Sequence, residues 1–307
     1  MRYAIIAVLL LTGTAFGQLF AVGPGPRLVT VDPDSGGVDE IGALLLDGNV
    51  AGMEFVGQRL FATESFFPNG AYLVEIDPRD ATVLSRHAIT LDGQPLSNAI
   101  EGLGYDVLAG SLVQAFWQPG AFNVSSSTTM GYIGLDGAVS SPITFSVDFD
   151  GLATRGADGS MYWVDREPGP NTLEIGVVTV GGSPSSLALY SFSGTLNGVN
   201  DVSFASDRGE LLAVDAVTSM VHRFDPASAA LLGSVGIETG EGFNGAAYRV
   251  RCDADLAPPF GVLDLADINA FVGGFLSQGS AADLNNDGVW DLQDIGLFVG
   301  AFVGGCP

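Results

Sequence analysis

The sequence predicts an all-β fold, a five-bladed β-propeller over residues 18–250, with a small α-helical domain over residues 251–307. Three observations predict it. An internal repeat with a step near 50 residues runs through the first 250 residues. Within each unit, short apolar runs are separated by Asp-Gly, Asn-Gly and Asp-Pro turns, the punctuation of short strands. No stretch before residue 250 carries a long 3.6-residue apolar period, whereas helix-like patterns follow it.

The chain begins with Met1-Arg2-Tyr3, an apolar run from Ala4 to Leu11, and the small residues Ala15 and Gly17 around Phe16. That is the pattern of a secretory signal peptide over residues 1–17, cut before Gln18. The alternative, a membrane anchor, needs a longer run to span about 30 Å of hydrocarbon. No later segment is long and apolar enough, so a secreted or cell-surface-attached protein without a transmembrane segment is expected.

The repeat is seen by aligning the small residue that opens each apolar run: Gly52-Met53, Gly102-Leu103, Gly151-Leu152, Asp201-Val202 and Gly245-Ala246. From Met53 the steps to Leu103, Leu152 and Val202 are 50, 49 and 50 residues, and the last, to Ala246, is 44. Each of the first four starts is followed by a second run, at Arg59–Thr63, Ser111–Ala115, Ser160–Val164 and Glu210–Val214. A third follows at Tyr72–Ile76, Gly131–Leu135, Leu173–Val177 and Met220–Phe224. A weaker fourth run is exemplified by Thr82–Arg86 and Ala230–Ser234. Four short strands in a 40- to 50-residue unit describe a propeller blade. Leu19–Val22 and Arg27–Val31 look like second and third strands whose first strand, Phe243–Tyr248, comes from the other end of the domain. A blade shared by both ends closes the ring and removes open edges. A two-sheet sandwich is the alternative.

The formal net charge of −24 excludes a general affinity for nucleic-acid phosphates or anionic membranes. The two histidines, His87 and His222, fall in expected outer or edge strands, which argues against a histidine metal site or a Ser-His-Asp triad. Acids recur near the blade starts: Glu54, Glu101, Asp150 and Asp201. First strands line a propeller's channel, so these four could converge and supply the carboxylate pair of a glycoside hydrolase. The plainer reading is that they bind backbone amides at the strand starts. Tyr162 and Trp163 adjoin on one strand, point to opposite faces, and are expected to pack between blades. Phe66-Phe67-Pro68 is the better candidate for a contact surface.

Beyond residue 250, Asp283 to Asp294 has the spacing of a calcium loop. Side-chain oxygens fall at positions 1 (Asp283), 3 (Asn285), 5 (Asp287), 9 (Asp291) and 12 (Asp294), with Gly288 at the sharp turn and the Val289 carbonyl at position 7. Hard oxygen ligands in this pattern suit Ca2+. An apolar helical pattern follows (Ile295, Phe298, Val299, Phe302), but no comparable helix is expected before the loop. A second copy lies upstream: Ala254-Asp255-Leu256 matches Ala282-Asp283-Leu284, Gly261–Ile268 matches Gly288–Ile295, and Phe271–Phe275 matches Phe298–Phe302. That copy is one residue longer between Asp255 and Gly261 and lacks oxygen side chains there, leaving Asp255, Asp264 and Asp267 as a poorer ligand set.

These paired loops, with Asp at position 12 and no entering helix, resemble the dockerin family over about the last 55 residues. The resemblance implies a calcium-binding module that docks on a protein partner. Cys252 and Cys306 bracket the repeat, and the ending Gly305-Cys306-Pro307 matches a dockerin variant of bacterial secreted proteins. In an oxidising setting the two cysteines can pair; two free thiols are the alternative. Dockerins of cellulose-degrading assemblies often carry a Ser-Thr pair at loop positions 10 and 11. Here those positions are Leu265-Ala266 and Leu292-Gln293, and the helices carry Phe271, Phe275, Phe298 and Phe302. An apolar docking face and a partner other than a cellulosomal cohesin are therefore expected.

The propeller repeat also resembles propellers with Asp-Gly-x-Leu-Tyr and Ile-Asp-Pro turns, carried by Gly151–Tyr162, Glu75–Pro78 and Arg223–Pro226, a likeness that speaks to fold alone. The reading reached is a secreted, non-enzymatic binding or structural protein anchored by its calcium module. The alternative is a carbohydrate-active enzyme using the channel carboxylates on a polysaccharide.

Overall fold

The computed structural model describes residues 17–66, 70–96, 100–117, 127–155, 158–166, 172–191, 198–250, 252, 254–257, 263–279, 282–285 and 288–304. The chain opens with β1 (Gln18–Gly23), β2 (Arg27–Val31) and β3 (Val38–Ala43). A four-stranded meander follows: β4 (Asn49–Val56), β5 (Arg59–Phe66), β6 (Gly70–Ile76) and β7 (Val83–Ala88). A small hairpin, β8 (Thr90–Leu91) and β9 (Gln94–Pro95), leads to β10 (Ile100–Asp106), β11 (Ser111–Trp117), β12 (Thr128–Ile133) and β13 (Ala138–Phe145). Two more meanders are β14 (Gly151–Thr154), β15 (Ser160–Asp165), β16 (Thr172–Thr179), β17 (Ser185–Ser191), then β18 (Val199–Ala205), β19 (Glu210–Asp215), β20 (Met220–Phe224), β21 (Leu231–Gly236). The last elements are β22 (Asn244–Arg249), α1 (Leu265–Ser277) and α2 (Leu292–Gly304).

These strands form five sheets, the blades of a propeller, antiparallel but for one short pair. The first blade has the order β22-β1-β2-β3, so the two ends of the domain meet in one sheet as the repeat predicts. Leu19 lies opposite Tyr248 and Phe20 opposite Ala247 in that closing pair. Five apolar clusters fill the spaces between neighbouring blades. One example joins Phe20, Val22 and Leu28 of the first blade to Met53, Leu60, Val74 and Ile76 of the second. Each buried Leu, Ile or Phe contributes about 1.5–3 kcal/mol, so the ring is held chiefly by these five seams. Tyr162 and Trp163 enter two different seams, as their alternation requires.

The aligned small residues have a packing reason. A Cβ on Gly52 would stand 2.4 Å from the Leu103 nitrogen, one on Gly102 2.1 Å from the Leu152 nitrogen, and one on Gly151 2.7 Å from the Asp201 Cα. The inner strands touch backbone to backbone at this level, and only glycine fits where the next blade's main chain comes so close.

Some expectations are corrected. The third strand of the second full blade begins at Thr128 and ends at Ile133, because Gly134 already belongs to the turn, its nitrogen donating to the Ala138 carbonyl and its carbonyl accepting from the Gly137 nitrogen. The β8–β9 hairpin was not anticipated; β8 extends its blade by pairing in parallel with β13. His87 lies on outer strand β7 and is exposed, as expected, but His222 lies on the third strand of its blade and has no solvent exposure. Among the described residues, no helix is long and apolar enough to cross a membrane.

In the C-terminal module, α1 and α2 pack through Phe271 and Phe298, whose rings stack 4.2 Å apart at 10°. Ala254, Ala282 and Leu284 complete its small core.

Candidate functional site

The four axial acids do not converge at one point; they fall into two pairs with different chemistry. Asp201 occupies the position that glycine takes in the neighbouring blades and has no solvent exposure. Its Oδ2 accepts from the main-chain nitrogens of Met53 (3.2 Å) and Ala246 (2.8 Å), and its Oδ1 from Val202 (3.0 Å). One side chain thereby ties three blades together. Glu54 reaches across the axis: its Oε2 accepts from the Thr154 nitrogen (2.8 Å) and hydroxyl (2.7 Å), and its Oε1 from the Phe55 nitrogen (2.9 Å). Burial pushes the Glu54 carboxyl up to about 7 against the pull of those donors. Burial, with the nearby Glu54 charge, also raises the Asp201 carboxyl well above its usual range. These two acids are structural hubs, with their acceptor sites spent on amides.

The second pair lines one mouth of the channel. Glu101 is the second residue of β10, Asp150 precedes β14, and together with Val50, Ala51, Asn244 and Arg166 they line an open cavity of about 150 Å³. Asp150 accepts from the Arg166 nitrogen and lies 3.5 Å from its guanidinium. Burial first, then the charges of Asp150 and Asp148, hold the Glu101 carboxyl well above its ordinary value, with Arg166 opposing. Asp148 itself accepts from the Thr128 hydroxyl. Sequence reasoning found Glu101 and Asp150 but missed Asn244 and Arg166. A signal existed for Asn244, since Ala51, Glu101, Asp150 and Asn244 each immediately precede the aligned small residue of their blade. Arg166 had none, because it reaches the mouth from the end of a second strand.

His222 sits between Ser234, whose hydroxyl is 2.7 Å from Nδ1, and Asp215, 3.5 Å from Nε2. Ser234 stands directly opposite His222 on the outermost strand of its blade, and Asp215 is occupied by the nitrogens of Val217, Thr218 and Gly198. The group joins three consecutive strands of one blade, away from the axis. The contact candidates Phe67 and Pro68 lie outside the described residues, as do Asp287, Cys306 and the leader through residue 16.

In the C-terminal module the two repeats build the same cradle. Asp294, at position 12, is buried and accepts from the nitrogens of Leu284 (2.8 Å), Asn285 (3.4 Å) and Asp291 (3.0 Å). Asp267 accepts from Leu256 (2.7 Å), Ala257 (2.8 Å) and Asp264 (2.9 Å). The cradle thus survives the extra residue in the first loop. Asp264 caps α1 through the Ala266 nitrogen, in a capping box with Asp267, and Asp291 accepts from Gln293 in the same way. Burial works to raise the Asp294 carboxyl, but its backbone donors outweigh it and hold the group below its usual range. Gly288 has φ of 76°, and its nitrogen donates to Asp283 Oδ2 at 2.9 Å, which turns the loop back on position 1. Asn285 donates to Gln293 (3.2 Å), and Val289 is exposed. Among the described residues no three Asp, Glu, His or Cys side chains converge closely enough to hold a metal ion. No described cysteine is a free thiol; Cys252 borders the module's core.

The apolar surface of this module differs from expectation. Phe271 and Phe298 are buried against each other, and Phe275 and Phe302 are half-buried in the same cluster. The exposed face is aliphatic instead: Leu265, Val272 and Leu276 on α1, and Leu292, Val299 and Val303 on α2. Between the helices lies a groove of about 260 Å³ floored by Phe271, Phe275 and Phe298.

No protein-family model matches the chain, and no curated protein matches it. Solved structures to which the chain shows some similarity include a nidogen/laminin complex, at 13% identity and a TM-score of 0.48, covering 76% of this chain and 98% of that chain. Another is glutaminyl cyclase from Myxococcus xanthus, at 16% identity and 0.44, covering 63% and 72%. A third is the PQQ-bound aldose sugar dehydrogenase of Streptomyces coelicolor, at 13% and 0.43, covering 74% and 83%. What those proteins bind or convert belongs to them.

Proposed function

We propose that this is a secreted binding protein in which a dockerin-like, calcium-binding C-terminal module anchors the propeller to a protein partner at the cell surface or in an extracellular assembly. The observation that carries the reading is the loop turned at Gly288 onto Asp283, with Asp291 and Asp294 at the start of the following helix. Asp283, Asn285, Asp287, Asp291, Asp294 and the Val289 carbonyl would hold Ca2+; their hard oxygens are the donor set that ion takes. The first loop, with Asp255, Asp264 and Asp267, would hold it less well. A Cys252–Cys306 bridge would tie the ends of the module and stabilise it by on the order of 4 kcal/mol. The partner would seat on the aliphatic face of Val272, Leu276, Val299 and Val303, so binding would depend little on salt. Glycoside chemistry would need two axial acids free to face a sugar, whereas Glu54, Asp150 and Asp201 accept main-chain donors.

Calcium titration of the full chain tests this. Saturation at a hundred times the dissociation constant would stabilise the module by about 2.7 kcal/mol. Asp283→Ala is expected to abolish most of that gain and Asp255→Ala to cost less. A chain indifferent to calcium rules out the reading, and equal losses from the two variants rule out the ranking of the loops. The partner is sought by pull-down with the full chain, with and without calcium; tight calcium-dependent binding to a cellulosomal cohesin would contradict the aliphatic docking face.

A further inference from the structure

The strand that closes the ring begins at Gln18, the residue that comes first once a leader is cut after Gly17. Closure depends on this strand: Gln18 lies opposite Arg249, Leu19 opposite Tyr248 and Phe20 opposite Ala247. The rest of β1 is buried, whereas Gln18 is exposed, so solvent and peptidases reach the strand at its first residue. Its side-chain amide is engaged through the oxygen. Arg249 Nη2 donates to Gln18 Oε1 at 2.7 Å, and the Arg249 guanidinium itself lies 5.0 Å from the centre of the Phe20 ring and 6.0 Å from that of Phe55. A guanidinium held against an amide oxygen favours negative charge developing there.

We propose that Gln18 is a modification site: once the leader is removed, its α-amine closes on its own side-chain amide to give pyroglutamate, with Arg249 holding the amide oxygen. The inference rests on the proposed export and on cleavage before Gln18. The neutral α-amine attacks Cδ. The bond from the α-nitrogen to Cδ forms, the bond from Cδ to Nε2 breaks, and Nε2 leaves as ammonia with a proton taken from the amine. No other reactant is consumed. An α-amine titrates at about 8, so part of it is neutral at ordinary pH.

The ring has a consequence for the fold. The lactam keeps a carbonyl oxygen for Arg249 and one N–H, and it removes the terminal cation. Aminopeptidases act on a free α-amine, so the lactam protects β1 from stepwise removal. Loss of Leu19 and Phe20 would take buried apolar side chains out of two inter-blade seams and open the closing pair.

The test is to express the full chain with its leader in a secreting bacterial host and to dimethylate the exported protein intact, which marks any free α-amine before digestion. Trypsin then releases the peptide from Gln18 to Arg27 for mass spectrometry. The expected peptide is unmarked and one ammonia lighter than its sequence requires. A dimethylated Gln18 would overturn the proposal and leave export standing; a first residue other than Gln18 would overturn both. Gln18→Asn has a side chain one carbon too short for the five-membered ring. It is expected to carry the mark, to keep the thermal midpoint, and to lose residues to a broad-specificity aminopeptidase that leaves the wild type intact. Equal susceptibility of the two proteins would overturn the protective role. Arg249→Met is expected to slow closure about threefold in freshly exported protein, and closure at the wild-type rate would remove Arg249 from the step.

Discussion

Asp201 is the side chain whose removal should cost the propeller most for its size. Three main-chain N–H groups end on its two oxygens, at 2.8, 3.0 and 3.2 Å, and none can reach water. Replacing Asp201 by Ala strands all three. Each orphaned buried donor costs about 1–3 kcal/mol, which gives about 3–9 kcal/mol in total. Against this, the carboxyl is itself disfavoured as a charge at this depth, so its removal returns part of the loss. The expected net loss is therefore near the low end, about 3 kcal/mol, a large fraction of the 5–15 kcal/mol typical of a domain. Asp201→Asn keeps one oxygen for Met53 and Ala246 and should fall between Ala and wild type. Urea unfolding followed by tryptophan fluorescence measures this. A Trp290→Phe background removes the module's own signal and leaves Trp117 and Trp163 in the propeller. An Ala variant within about 0.5 kcal/mol of wild type, the range of an ordinary surface substitution, would refute the hub argument.

Glu54 should make the propeller less stable as pH rises. Its folded pKa of about 7 lies above the ordinary 4.5, so its contribution is intact below pH 4.5 and is lost through about pH 7. That interval corresponds to about 3 kcal/mol, and Glu54→Gln should flatten the wild-type slope in denaturant titrations across it. Gly102→Ala should lower the melting temperature steeply or prevent folding, because its Cβ would meet the Leu152 nitrogen at 2.1 Å; Gly233→Ala, with nothing within 4 Å, is the near-neutral comparison. A free-thiol count on the denatured, unreduced protein should be zero, and reduction should lower the melting temperature of the C-terminal module without shifting that of the propeller.

Much of the architecture was legible in the chain because its signals are local or repeat. Strand periodicity, Asp-Pro and Asp-Gly turns and the near-50-residue step determine the number of blades, and the missing first strand beside Leu19 pointed to closure through Phe243–Tyr248. The apolar pattern repeated after each loop, Phe271–Phe275 and Phe298–Phe302, likewise pointed to two helices, since a helical period is a local signal. What the chain alone left undecided is which residues meet across the axis. Glu54, Glu101, Asp150 and Asp201 look alike in sequence, but ring closure sets Asp201 against three backbones and leaves Glu101 in a cavity beside Arg166. The exchange of an expected aromatic face for an aliphatic one has the same cause. Phe271 and Phe298 are exposed or hidden only by the way the two helices pack, and packing brings together residues far apart in sequence, which no local pattern records.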